Sequence, residues 1–307
     1  VLKFLIYFFS KDYKDKLREL DEEIVYLLEN GIKAYVFENK ERDDMLEKLI
    51  EDKSFDSEYA LFLADNDENI EKLKSKGLYV CGMQIGRETI EKSKYVLQEV
   101  DDIDADYLNK VWQRLSKRPW MILETKRLLV RETTVSDVRF LYDIYADKSM
   151  TEYMEDLFED PEDEIKYTKD YIEKVYEFNG FGIWSLIEKE SGDLIGRAGF
   201  SIREGFDDIE IGFFIGKKWQ KKGFAYEALE AILDFGVSKF NFKEVMAIVH
   251  KGNTPSINLL KKLGFDEDGE AVITENIYGG KYISNGYMSL GEGSKKTCFK
   301  MKWVYKE

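Results

Sequence analysis

The sequence predicts an α/β layer followed by an α+β layer: a parallel, helix-covered, Rossmann-like domain over residues 1–118 and a mixed-sheet domain over residues 119–307. Three observations lead there. Short apolar runs alternate with charged helical stretches in the first third, and strands follow one another directly before helices return in the remainder. Pro119 divides the two patterns, disfavouring helix at the residue before it. A chain of 307 residues also has the length of two domains of roughly 100–200 residues each.

In the first stretch, residues 2–9, 32–38, 59–65, 78–83 and 95–99 read as strands. They are short, rich in β-branched or aromatic residues, and often apolar without alternation, as strands buried on both faces are. Between them, residues 12–30, 42–51 and 66–76 carry apolar side chains at helical spacing, for example Leu17, Leu20, Ile24, Leu27 and Leu28. Gly31 and Gly77 stand where a left-handed residue ends a helix before the next strand. A last helix over 104–116 leads to the boundary at 118–121. Residues 1–9 are apolar enough to imitate the core of a secretion signal. They lack a basic n-region and a small-residue cleavage site, and are expected to be the buried first strand.

Beyond the boundary, residues 122–132 alternate as one opening strand, with Leu128 and Val130 facing opposite to Leu129. Helical patches at 135–147 and 162–178 follow. Strands then come in series at 182–188, 194–202 and 209–215, the first two joined by a turn at Ser191-Gly192-Asp193. A helix over 222–239, a strand over 244–250 and a helix over 255–263, with Thr254 as its N-cap, precede closing strands after Phe265.

Composition narrows the function classes. Hydrophobic residues make up 44% and charged residues 35%, enough for packed cores. The formal charge is −15, divided as −7 over residues 1–120 and −8 over the rest, so neither part offers the broad basic face that nucleic acid requires. One histidine, His250, and two cysteines, Cys81 and Cys298, exclude a Cys/His zinc site and a disulfide scaffold, and no metal is expected. A histidine-based nucleophile triad would have to use His250. The widely spaced cysteines fit a reducing compartment and no run of 18 apolar residues occurs, so a cytoplasmic, non-membrane protein is expected.

Residues 209–229 carry the most chemical information. An apolar strand runs into a loop containing Gly216 and Gly223, and the loop opens a helix. The first amides of a helix lack intrahelical acceptors, and its macrodipole is positive at that end. Lys217, Lys218, Lys221 and Lys222 place four positive charges within six residues of an acidic chain, while Gly223 and Ala225 keep the turn free of bulk. That combination fits a phosphate or diphosphate. A solvated lysine-rich loop is the plainer alternative for this segment alone, and neither G-x-x-x-x-G-K-[ST] nor G-x-G-x-x-G is present. A second segment, 250–265, is a strand end, a polar loop and a short helix closed by Gly264. Asn253 and Ser256 stand near its mouth, where they can bond an extended amide-bearing ligand.

Together the two segments resemble the GNAT family of acetyl-CoA-dependent N-acyltransferases, particularly its ribosomal-protein-acetyltransferase-like branch. The family's Q/R-x-x-G-x-G/A motif appears as Gln220-Lys221-Lys222-Gly223-Phe224-Ala225. Its N-x-x-[AS]…LGF element appears as Asn253…Ser256…Leu263-Gly264-Phe265. Leu123-Glu124-Thr125-Lys126-Arg127-Leu128-Leu129-Val130-Arg131-Glu132 looks like the opening strand of that branch, often written TERL-x-LR. Two helices followed by a three-strand meander also match, and the likeness spans residues 122–307.

The resemblance implies transfer of an acetyl group from acetyl-CoA to a primary amine by direct attack in a ternary complex. The amides of Gln220, Lys221, Lys222, Gly223, Phe224 and Ala225 would cradle the coenzyme A diphosphate. The strand carrying Phe213, Phe214 and Ile215 would pair with the pantetheine arm, and its splay from strand 244–250 would admit the thioester. One N–H of that strand would polarise the thioester carbonyl, and Asn253 would bond pantetheine. An alkyl amine with a pKa of about 10.4 is protonated at neutral pH, so a base is needed. Glu210 is the candidate, acting through water, with a solvent-facing strand carboxylate as the equal alternative. The family's tyrosine acid falls at Leu260, so Ser256 is the candidate to protonate the thiolate, or else bonds the coenzyme or caps the helix. That replacement also keeps open a non-catalytic acyl-CoA-binding or sensing protein. His250 reads as structural sooner than catalytic. Tyr278, Tyr282 and Tyr287 fall in the region that borders the acceptor, or serve packing. The acceptor is a small-molecule or peptide amine of open identity, the acidic surface being compatible with polyamines, aminoglycosides or basic protein termini.

The first domain faintly resembles a truncated haloacid-dehalogenase-like unit, through Leu61-Phe62-Leu63-Ala64-Asp65-Asn66-Asp67 with the following helix and strand. Residues 1–10 contain no aspartate, so a phosphoaspartate mechanism lacks its nucleophile. Asp65 and Asp67 read as helix-start carboxylates before cation ligands. A degenerate domain serving packing, homodimerisation or acceptor recognition is expected.

Overall fold

In the computed structural model, which describes residues 1–10, 14–37, 41–85, 89–98, 104–277, 282 and 291–306, the chain divides into two compact units, Val1–Trp120 and Met121–Glu307.

The first unit runs β1 (Phe4–Phe8), α1 (Lys14–Glu29), β2 (Lys33–Phe37), α2 (Arg42–Glu51), β3 (Ala60–Ala64), α3 (Asp67–Ser75), β4 (Val80–Met83), β5 (Val96–Leu97) and α4 (Ala105–Leu115). The strands form one parallel sheet in the order β2-β1-β3-β4-β5. Both faces are covered, which explains the unbroken apolar runs. Leu5 and Tyr7 join Leu27 of α1 and Leu108, Val111 and Trp112 of α4, whereas Ile6 and Phe8 join Leu46 and Leu49 of α2 and Ile70 and Leu73 of α3. Of the strand expected over 95–99, Val96–Leu97 is a strand among the described residues, and residue 99 lies outside them. Asp65, at the end of β3, is buried and ties that strand to β1. Its Oδ2 accepts bonds from the Ser10 amide (2.9 Å) and hydroxyl (2.8 Å), and its Oδ1 from Asn66 and Asn69 Nδ2 (2.9 and 2.8 Å). Asp67 accepts from the amides of Glu91 and Lys92.

The second unit runs β6 (Met121–Glu124), β7 (Leu128–Arg131), α5 (Val138–Tyr145), α6 (Pro161–Tyr171), α7 (Glu177–Asn179), β8 (Ile183–Glu188), β9 (Leu194–Ile202) and β10 (Ile209–Ile215). It continues with α8 (Phe224–Phe240), β11 (Glu244–His250), α9 (Thr254–Lys262), β12 (Asp266–Ile277) and β13 (Gly291–Val304). The eight strands order as β12-β13-β11-β10-β9-β8-β7-β6. Trp184, Leu186, Ala198, Phe200 and Ile211 pack with Phe224, Ala228, Leu229, Ile232 and Leu233 of α8.

Four expectations need correction here. Residues 122–132 are not one strand but the hairpin β6–β7, whose turn is closed by bonds between Thr125 and Leu128 and by a carboxylate from α8. The helix expected over 135–147 begins as a 3-10 turn, Val135–Asp137, with Thr134 and Asp137 forming a capping box. The helix expected over 162–178 is interrupted by a π-helical turn, Ile172–Tyr176. The wider turn brings Tyr171 and Tyr176 to one side, where the Tyr171 hydroxyl accepts from the Ile183 amide and Tyr176 donates to its carbonyl, pinning the start of β8. Finally, α9 is capped by Asn253 and not by Thr254, since Asn253 Oδ1 accepts from the Ser256 amide.

The two edges of β10 are paired unequally. β10 bonds to β9 along its whole length, from Ile209↔Ile202 to Ile215↔Gly196. On its other side it pairs with parallel β11 only at Ile209↔Val245 and Glu210↔Met246. β11 stays paired to β13 from Glu244 to His250 and diverges from β10. The Gly212–Ile215 edge is therefore left open towards β11.

Candidate active site

A cavity of about 740 Å³ opens where β10 and β11 part. Its wall brings together Glu210, Phe214, Ile215, Gln220, Lys221, Gly223, Phe224, Ala225, Asn253 and Ser256, every one of them singled out from sequence. Lys222 does not belong to the wall. Its carbonyl accepts a bond from Arg127 Nη1 (2.9 Å) on the far side of the turn.

The turn after β10 has a shape that explains its residues. A 3-10 turn, Lys217–Trp219, leads to extended Gln220, whose Nε2 donates back to the Ile215 carbonyl (2.9 Å). Lys221 and Gly223 both take left-handed φ, +60° and +83°, with Lys222 of ordinary hand between them. Alternation of hand curls successive amides into a concavity that suits an anion. Gly223 then serves as N-cap of α8 without a side-chain cap, so the first-turn amides of that helix carry neither an intrahelical nor a capping acceptor. Bare amides, the positive end of a 17-residue helix and lysines in the wall together make an anion site that opens off the free edge of β10.

The opposite side of the cavity is chemically different. Glu210 is 6% exposed and lies on the face of β10 that carries Gly212 and Phe214. Arg203 grips it with both arms, Nε to Oε2 at 2.8 Å and Nη2 to Oε1 at 3.1 Å, and the Ser201 hydroxyl lies 3.4 Å from Oε2. The solvent-facing alternative for Glu210 is thus excluded. Two carboxylate oxygens offer about four lone-pair directions, so a water or an amine still finds an acceptor there. Sequence reading missed Arg203, because the pairing depends on β9–β10 register, which sets Ser201 opposite Glu210.

His250 also lines the cavity. Its Nδ1 accepts from the Gly252 amide (3.2 Å), which leaves the ring proton on Nε2 as a donor and argues against this residue as base. The Tyr153 ring packs against it, tilted at 37° with centroids 5.2 Å apart. Leu260, at the family's tyrosine position, is fully buried and supplies no proton. Tyr282 bonds Asp170 through its hydroxyl and packs on Phe158 and Tyr167, outside the cavity wall; Tyr278 and Tyr287 lie outside the described residues. Among the described residues no cluster of three or more His, Cys, Asp or Glu side chains has metal-site geometry, and no helix is long and apolar enough to cross a membrane.

Comparison with known proteins identifies the family of the second unit. Residues 127–266 match the family model described as an acetyltransferase (GNAT) domain. The chain is 32% identical over 151 residues to the uncharacterised N-acetyltransferase p20 of Bacillus licheniformis, an alignment covering 48% of this chain and 83% of that protein. It is 29% identical over 171 residues to the uncharacterised N-acetyltransferase YoaA of Bacillus subtilis, covering 54% and 94%. With the ribosomal protein uS5-alanine N-acetyltransferase of Escherichia coli it shares 38% identity over 93 residues, 30% of this chain and 46% of that enzyme. The family match begins at residue 127, so the haloacid-dehalogenase likeness of the first unit finds no support in it.

Proposed function

Because the chain belongs to the GNAT family of acetyltransferases and is therefore a transferase, we propose that it moves the acetyl group of acetyl-CoA onto a primary amine held beside the donor in one ternary complex. The observation that carries this reading is the open Gly212–Ile215 edge running directly into a turn of bare amides.

The donor supplies an activated acyl thioester; the residues of this chain bind it, orient it and move protons. The turn from Gln220 to Ala225 would hold the diphosphate, with Lys221 adding charge from the wall. The β10 edge would hold the amides of the pantetheine arm as an added strand, and one of its N–H groups would face the thioester carbonyl oxygen. Asn253 and Ser256 border the same channel from α9. Glu210, fixed by Arg203, accepts the proton of the acceptor ammonium directly or through one water. With Leu260 unable to donate, the Ser256 hydroxyl gives its proton to the departing sulfur and takes in its place the second proton lost by the acylated nitrogen. An amine acceptor accords with the uS5-alanine N-acetyltransferase among the relatives. For residues 1–118 the proposal is a Rossmann-like layer without catalytic nucleophile, serving packing, homodimerisation or acceptor recognition.

Thiol titration tests the reading. Incubation with acetyl-CoA and a panel of alkylamines, polyamines and peptides with free N-termini should release thiol with at least one member and add one acetyl group to it. Firm coenzyme binding without thiol release across the panel would overturn it.

A further inference from the structure

Arg127 belongs to the turn of the β6–β7 hairpin, yet its guanidinium works on α8. Nε donates to Glu227 Oε2 at 2.6 Å and Nη1 to the Lys222 carbonyl at 2.9 Å, while the group lies 4.3 Å above the Phe224 ring. The Arg127 amide and the Thr125 hydroxyl both donate to Glu227 Oε1, at 2.8 and 2.6 Å. Nη2 stands 3.4 Å from where a Cβ on Gly223 would be. Arg127 is absent from the cavity wall, so it acts on the anion turn from behind.

This placement has two physical consequences. In a planar trans peptide the carbonyl and the following N–H point in opposite directions. Holding the Lys222 carbonyl outward therefore turns the Gly223 amide inward, to the side that lines the cavity. Glu227, for its part, is a carboxylate in the first turn of α8, where it would compete with any bound anion for the positive helix end. Three donors, one of them the Arg127 guanidinium, occupy its oxygens, and the guanidinium offsets its charge.

Resting on the coenzyme reading above, we propose that Arg127 is a positioning residue: it fixes the Lys222–Gly223 peptide and neutralises Glu227, so that the turn favours a phosphate-bearing thioester over one without phosphates. The test compares kcat/KM for acetyl-CoA with that for S-acetylpantetheine, which lacks the diphosphate, in the wild type, Arg127→Ala and the milder Arg127→Lys, with Tm measured alongside. In Arg127→Ala the ratio of the two values should fall about tenfold, the effect of one charge-assisted hydrogen bond, through KM for acetyl-CoA more than through kcat. Arg127→Lys should show the same direction, since an ammonium cannot fork between Glu227 and the Lys222 carbonyl. A lower Tm with both donors losing equally, the ratio unchanged, would reduce Arg127 to a hairpin clamp and overturn the inference. A wild-type ratio near one would instead overturn the diphosphate reading on which it rests.

Discussion

Gly223 is the position where backbone strain, space and charge can be separated. Its φ of +83° lies in the left-handed region, where an L side chain costs about 1–2 kcal/mol. Space is not limiting, because a Cβ there would meet only Arg127 Nη2 at 3.4 Å, an ordinary contact. Gly223→Ala should therefore lose about 1–2 kcal/mol of stability and keep the turn usable. Gly223→Glu carries the same strain and adds a carboxylate whose Cβ starts on the Arg127 side of the turn. At about 8 Å from a phosphate, with an effective dielectric near 20, that repulsion is about 2 kcal/mol, or roughly thirtyfold in Kd. Attraction of the new carboxylate to Arg127 offsets part of this, so a loss of about tenfold is expected. Calorimetric titration with coenzyme A, beside thermal denaturation of both variants, reads the two effects separately. If Gly223→Glu binds as tightly as Gly223→Ala while both show the strain, the diphosphate does not sit on this turn and the reasoning fails.

Glu210→Gln should lower kcat by about a hundredfold or more, the scale of a lost general base, with KM for acetyl-CoA little changed; a wild-type rate and pH profile would remove Glu210 from that role. Asp137 is 2% exposed and held bidentately by Arg131 at 2.7 and 2.8 Å. Burial raises its pKa, but bonds from Arg131, the Thr134 amide and Ser185 outweigh that and hold it below the ordinary carboxylate value. A depressed folded pKa stabilises above the unfolded value and is lost as pH falls through the folded one. Asp137→Asn should thus cost about 3–5 kcal/mol at neutral pH, the deficit shrinking in acid; a deficit independent of pH would contradict the pairing. A Cβ on Gly199 would lie 2.0 Å from the Gly182 carbonyl oxygen, backbone that has no room to yield. Gly199→Ala should therefore cost more than the roughly 1–3 kcal/mol of ordinary overpacking, and a wild-type Tm would refute the β8–β9 register.

Much of the architecture was legible because burial writes itself into sequence. Alternate residues of β1 serve opposite clusters, so the run is apolar throughout, and Gly31 and Gly77 take the left-handed φ (+78° and +77°) that their places after helices require. The segment 216–225 was legible too, since glycine, lysines and a helix start are local features. Contacts made across the fold were not. Apolar residues at 121–123 and again at 128–130 read as one strand, and hide the hairpin whose turn Glu227 holds from a distant part of the chain. Arg203 meets Glu210 through strand register. Lys222 looked like its neighbours in sequence, but the hand of the backbone turns its carbonyl towards Arg127 and keeps it out of the cavity wall.

The most direct measurement is a crystal structure of the protein grown with acetyl-CoA. The diphosphate should rest against the amides of Lys221 to Ala225, with pantetheine lying along Gly212–Ile215. Density for the nucleotide elsewhere, with no ligand on the turn after β10, would contradict the account.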